Sequence, residues 1–166
     1  SFVGSEMCIR DSINIAPDVE TQIGIVENAL PVARALGVEC PKVAVLSAVE
    51  NVTDKMPSTV TAREIAERGV EGCVISGPLA LDGAISMESV KHKAIKDPVA
   101  GQADILLVPF IEIGNVLYKA CSYIAGKTMA STICGASCPV VITSRADTPD
   151  SKYYSILMAV LRCLKA

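Results

Sequence analysis

The sequence predicts an α/β fold, a layered α/β domain with a mixed, mostly parallel sheet. Three observations carry this. Short continuous apolar runs at residues 42–47, 73–76, 105–108, 129–134 and 140–143 are bounded by proline, glycine or polar residues, as in strands buried on both faces. Between most of them lie segments with apolar residues every three or four positions, the alternation of an α/β layered domain. Only residues 135–139 separate the last two runs, and a parallel crossover needs roughly a dozen. Those two strands are therefore expected to be antiparallel neighbours or not adjacent at all.

The elements follow in order. Residues Ser1–Ser12 show no apolar periodicity and read as a non-native leader, translated adapter sequence outside the fold. Residues 13–17 read as the tail of a strand. Asp18 is a fair N-cap for a helix carrying Ile23, Val26, Leu30, Ala33 and Leu36, with Gly37 as its stop. Pro31 lies inside that pattern and costs about 3 kcal/mol in a helix interior, so a kink or two shorter helices are expected. After the strand at 42–47 comes a loop, then a helix capped by Thr61 with Glu64 three residues on. Gly69 ends it. The strand at 73–76 is expected to stop at Gly77-Pro78, and residues 79–85 have no clear assignment. A basic helix over 87–96, the strand at 105–108, a helix over 115–125 and the last two strands follow. The final helix starts near Asp150, with Ile156, Leu157, Val160, Leu161 and Leu164 on one face.

Composition excludes several classes of function. The net charge is −3, and the one basic run, Lys91-His92-Lys93 with Lys96, has no interleaved aromatics, so nothing points to nucleic acid. No apolar run approaches about 18 residues, so no membrane span is expected. The seven cysteines are odd in number and scattered. Cys134 and Cys138 have no second pair or histidine nearby in sequence, whereas a structural zinc site needs four ligands. No metal is expected, and reduced thiols in a cytoplasmic protein is the better reading.

The stretch from Val140 to Asp150 concentrates the candidate chemistry. Thr143, Ser144 and Arg145 stand at a strand end, followed by a turn with Asp147, Pro149 and Asp150 and then a helix start. Helix starts offer unpaired N–H groups to anions, and arginine adds a planar fork suited to phosphate or carboxylate. Gly114-Asn115, read as opening a helix, offers a second place where backbone approaches a ligand closely. Lys119 lies one turn further on and faces the same way.

Four motifs in register extend this. Gly-Pro-Leu-Ala-Leu-Asp (77–82), Pro-Val-Ala-Gly-Gln-Ala (98–103), Pro109 with Gly114-Asn115-Val116-Leu117-Tyr118-Lys119, and Ser144-Arg145-Ala146-Asp147 together resemble the phosphate acetyl/butyryltransferase family. The first and last motifs are more similar to the butyryl branch. The resemblance implies a two-domain homodimer, similar in fold to isocitrate and isopropylmalate dehydrogenases. It implies transfer of a short acyl group between coenzyme A, as a substrate, and inorganic phosphate, with no tightly bound cofactor. This chain is expected to correspond to the second half, with 13–139 as an inserted second domain and 140–166 returning to a first domain. The implied catalytic residues are Ser144, Arg145, Asp150 and Asp147, the two aspartates being alternatives for the acid/base group or for the helix cap. Gly114, Asn115 and Lys119 are implied to bind substrate. A further expectation is that Lys91, Lys93 and Lys96 meet coenzyme A phosphates. The competing readings are an inactive coenzyme A- or phosphate-binding half, and a dehydrogenase-like relative sharing only the fold. No glycine-rich dinucleotide fingerprint supports the latter.

Overall fold

The computed structural model describes residues 7–11, 15–136, 138, 140–145 and 147–164. The chain divides into two units, Ala16–Phe110 and the combination of Ser1–Ile15 with Ile111–Ala166.

The unit Ala16–Phe110 is built on a parallel three-stranded sheet in the order β3-β2-β4, with β2 (Lys42–Leu46) central, β3 (Val74–Leu79) and β4 (Ile105–Leu107). Alternate residues of β2 point to opposite faces, and both faces are covered. Val43 and Val45 pack with Val26 and Leu30 of α1 (Val19–Ala35) and with Ala62 and Ile65 of α2 (Pro57–Arg68). Ala44 and Leu46 pack on the other side with Leu79, Val99, Ala100 and Ala84 of α3 (Leu81–Ile85); Val90 of α4 (Met87–Lys93) packs against that cluster. Burial on both faces is why the strand sequence is a continuous apolar run rather than an alternating one.

Several expectations are corrected here. α1 is one uninterrupted helix through Pro31. The ring lies on the exposed side while Leu30, Val32 and Ala33 are buried, so core packing offsets the lost backbone hydrogen bond. Asp18 does cap it, accepting from Thr21 N–H at 2.9 Å. α2 starts at Pro57, not after Thr61. Proline is suited to the first helical position because it lacks an N–H that would be unpaired there. The strand also continues through Gly77-Pro78 to Leu79. A Cβ at Gly77 would lie 2.8 Å from Val45 Cβ and 3.0 Å from Val45 O. Glycine thus lets β3 press against β2 where the register shifts between Ala44 and Leu46.

The other unit contains β1 (Met7–Asp11), which pairs in parallel with β5 (Ala130–Cys134). Residues 7–11, set outside the fold by the sequence reading, are thus paired in a sheet; residues 1–6 and 12–14 lie outside the described residues, and residues 15–17, expected as the tail of a strand, form a bend and loop leading into α1. α5 (Ile111–Lys119) runs into a π-helical turn at Ala120–Ile124. The expected strand at 140–143 is a single antiparallel bridge, Ile133 to Val140. Side chains hold the segment to β5: Thr132 Oγ1 donates to Val140 O at 3.2 Å and Ser131 Oγ to Ile142 O at 3.2 Å. The antiparallel sense is the one the short connection requires.

α6 (Pro149–Leu164) buries Ser151, Ser155 and Ala159 together with Met158. Ser131 N–H of β5 donates to Ser155 Oγ at 2.9 Å, and that hydroxyl donates to Ser151 O at 2.6 Å. The large aliphatic residues point the other way: Ile156 is 58% exposed and Leu164 77%. Among the described residues no helix is long and apolar enough to cross a membrane.

Candidate active site

The residues singled out at 144–150 are brought together by one tight turn and one helix start. Asp147 N–H donates to Ser144 O at 3.1 Å, closing a four-residue turn. The Asp147 carboxylate closes it a second time, since its Oδ2 accepts from Ser144 N–H at 2.6 Å. Aspartate favours turns because its short side chain reaches nearby backbone N–H groups. Its other oxygen, Oδ1, accepts from the Tyr118 hydroxyl at 3.0 Å, which ties the turn to the last turn of α5. Asp147 is half-buried.

Neither aspartate is the N-cap of α6. Thr148 is, its Oγ1 accepting from Ser151 N–H at 3.2 Å, and Lys152 N–H donates to Thr148 O at 3.1 Å. The Thr-Pro-Asp run was the available signal: a capping hydroxyl, then proline and an acid in the first turn. Asp150 therefore occupies that first turn, exposed, where its charge complements the positive end of the helix. Arg145 is exposed at the tip of the turn and forms no ion pair among the described residues. A guanidinium in that state keeps its donors for an incoming anion.

The α5 residues sit differently from expectation. Gly114 and Asn115 lie inside α5, which starts at Ile111. The unpaired amides of a helix belong to its first turn, ahead of Asn115. The sequence reading started this helix too late, so backbone N–H donation from Gly114-Asn115 has no basis here. Asn115 and Lys119 are both exposed and one turn apart, as the spacing predicts. The Lys119 ammonium lies 5.9 Å from the centre of the Tyr123 ring. Tyr118 was missed as a site residue, although it stands within the Gly114–Lys119 motif; a hydroxyl-bearing aromatic in the last helical turn was the signal.

The basic cluster of α4 is partly neutralised. Lys93 Nζ donates to Glu50 Oε1 at 3.0 Å and to Asp82 Oδ1 at 2.9 Å. The hydrogen bonds to Asp82 and then Glu50 raise the Lys93 ammonium above its ordinary value, and the Lys93 bond holds the Asp82 carboxyl below its own. Lys91, His92 and Lys96 are exposed. Among the described residues no group of three or more His, Cys, Asp or Glu is placed to hold a metal ion.

What the turn can do chemically is limited and specific. It presents a cation, Arg145, beside a serine whose backbone is held by two hydrogen bonds, with a carboxylate in the next helical turn. Comparison with known proteins adds the following. The family described as Phosphate acetyl/butaryl transferase matches residues 7–160. A probable phosphate butyryltransferase of Bacillus subtilis (strain 168) is 48% identical over 159 residues, covering 93% of this chain and 53% of that protein. A phosphate acetyltransferase of Thermotoga maritima is 46% identical over 151 residues, covering 89% of this chain and 51% of that one. Among solved structures, a branched-chain phosphotransacylase from Enterococcus faecalis V583 superposes with a TM-score of 0.87 at 44% identity, over 93% of this chain and 57% of its own. The chain spans about half the length of the curated relatives it matches.

Proposed function

The chain belongs to the phosphate acetyl/butaryl transferase family, and we propose that it forms part of an enzyme that exchanges a short acyl group between coenzyme A and inorganic phosphate. The observation that carries this is the Arg145 guanidinium, exposed and without an ion pair among the described residues, on a turn held at both ends. In this reading Arg145 clamps the phosphate and Ser144 donates to the phosphate or to the thioester oxygen. A phosphate oxygen attacks the carbonyl carbon, the C–O bond forms, and charge collects on the carbonyl oxygen. Collapse of that oxyanion breaks the C–S bond and expels coenzyme A thiolate; the acid/base carboxylate takes the proton of the attacking phosphate and passes it to that thiolate. Donors fixed in advance at the developing charge are what such a step needs.

Asp150 is our choice for the acid/base group, because both oxygens of Asp147 already accept hydrogen bonds. The Asn115 amide and the Lys119 ammonium are the α5 groups proposed to meet substrate, with Gly114 beside them. Butyryl over acetyl preference is part of the proposal and is supported by the Gly-Pro-Leu-Ala-Leu-Asp and Ser-Arg-Ala-Asp motifs; relatives carry both names. So are a cytoplasmic homodimer, a fold akin to isocitrate and isopropylmalate dehydrogenases, and an arrangement in which residues 13–139 form an inserted second domain and residues 140–166 return to the first. The test is release of coenzyme A from butyryl-CoA and from acetyl-CoA, with phosphate, by the full-length protein carrying this chain. Arg145→Ala should lower kcat/KM about a hundredfold or more, the cost of losing a charged donor that positions the attacking phosphate. Turnover that survives this substitution unchanged sinks the assignment.

A second reading is favoured by one observation: Ile156, Leu157 and Val160 of α6 lie exposed. We infer from this that the chain by itself binds phosphate without turning over, its site lacking a wall. Equilibrium binding of phosphate by the purified chain, with no coenzyme A release, is the outcome expected.

A further inference from the structure

We propose that Tyr118 is a positioning residue for the anion-clamping turn, acting through the Asp147 carboxylate on the Ser144 backbone. The inference rests on the reading of Ser144 and Arg145 as the phosphate site. Three hydrogen bonds define the relay. The Tyr118 hydroxyl donates to Asp147 Oδ1 at 3.0 Å, Asp147 Oδ2 accepts from Ser144 N–H at 2.6 Å, and Asp147 N–H donates to Ser144 O at 3.1 Å. The last bond belongs to the turn alone. The other two run from the end of α5 to the residue just before Arg145.

Ser144 and Arg145 are exposed and follow a segment joined to β5 by one backbone bridge and two side-chain hydrogen bonds, the last of them at Ile142, so no sheet ladder runs as far as the turn. A half-buried carboxylate gripped on one oxygen alone can swing about its side-chain torsions. Gripped on both, it fixes the direction of the Ser144 N–H and, with it, the start of the Arg145 main chain. Bonds to an ionised acceptor are about twice as strong as neutral ones, and a phenol supplies one without adding a charge beside the anion site. Tyr118 sits in α5, whose backbone is hydrogen-bonded along its length, so the relay has a rigid anchor. Donors held in place before the anion arrives need no reorganisation when it does.

The experiment uses the full-length protein and the variant Tyr118→Phe, which keeps the ring and removes the hydroxyl. The KM for inorganic phosphate should rise about five- to tenfold, the size of one lost hydrogen bond, with kcat falling less. The KM for acyl-CoA and the thermal midpoint should stay at wild-type values, as a purely structural role would not allow. Combined with Asp147→Ala, the loss should be no greater than that of Asp147→Ala alone. Unchanged phosphate KM, a uniform fall of all parameters together with the midpoint, or additive losses would each overturn the relay. Hydrogen exchange at the Ser144 amide, read by NMR, gives an answer independent of turnover. Protection in the wild type that is lost in Tyr118→Phe supports positioning even if no acyl transfer is seen, in which case only the functional reading falls. An unprotected Ser144 amide in the wild type overturns the positioning role.

Discussion

The two units of the chain bury their apolar residues in opposite ways. In Ala16–Phe110 the sheet is covered on both faces, and Val43, Ala44 and Ile65 are 0% exposed. In the unit from Ile111 onward, α6 turns its small residues toward β5 and its aliphatic ones outward, and α5 has no buried residue at all. Val116 is 66% exposed and Ile124 87%. These exposed apolar side chains mark faces that a further layer could cover. The first unit has what it needs to hold itself together, whereas the second carries the candidate chemistry on a scaffold with uncovered faces. Active sites are commonly placed on surfaces that another layer completes.

The sharpest way to break this contrast is a cavity in the first unit. Ile65 touches the core formed by Val26, Val43, Val45 and Leu107, and it is fully buried. Ile65→Ala should destabilise the chain by about 2–5 kcal/mol, the range for removing a large aliphatic side chain from a core. Urea denaturation of the purified chain measures it. A cost below about 1 kcal/mol would place that core among sites able to collapse around the loss, and the first unit would then not be the better packed of the two.

The matching test in the second unit should give almost nothing. Ile156 and Leu157 are 58% and 39% exposed, so Ile156→Ser and Leu157→Ser should each shift the stability of the purified chain by no more than about 0.5 kcal/mol. Losses as large as that of Ile65→Ala would mean these side chains are covered after all.

How much of this was legible in sequence follows from the same contrast. Strands β2 and β4 and the stops at Gly37 and Gly69 were readable because burial on both faces imposes a continuous apolar code with glycine at its edges. The aliphatic stripe of α6 was equally visible, but sequence periodicity says only that a face is apolar, not which neighbour covers it. The start of α2 was misplaced because Thr61 and Glu64 mimic a capping box, while Pro57 marks the true first turn and Glu64 pairs instead with Arg68. The run at 140–143 looked like a strand because its residues are apolar; it makes one backbone bridge to β5 and is otherwise held by the hydroxyls of Ser131 and Thr132, which lie elsewhere in sequence. For the site, Ser144 and Arg145 stood out by residue type. The Tyr118–Asp147 bond spans 29 positions, and no local pattern encodes a contact of that range.

The smallest effect expected concerns charge, where the contrast also holds: the first unit pairs its surface ions while Arg145 in the second forms no ion pair among the described residues. Asp82 is held below its ordinary value of 3.8 chiefly by its hydrogen bond to Lys93. Lys93 is raised above 10.5 by Asp82 and then Glu50. A carboxylate depressed in the folded state stabilises above its unfolded pKa, and the contribution disappears as pH falls through the lower folded value. An ammonium raised in the folded state stabilises below its unfolded pKa and loses that contribution as pH rises through the higher folded value. The triad therefore acts from about pH 4 to about pH 10 and fades at both ends. Being at the surface it is screened, and added salt should shrink it. Asp82→Asn should lower the thermal midpoint slightly at neutral pH, and the gap to wild type should close as the solution is acidified below the carboxylate range. A gap that stays constant through that range would mean Asp82 stabilises α3 by something other than its charge.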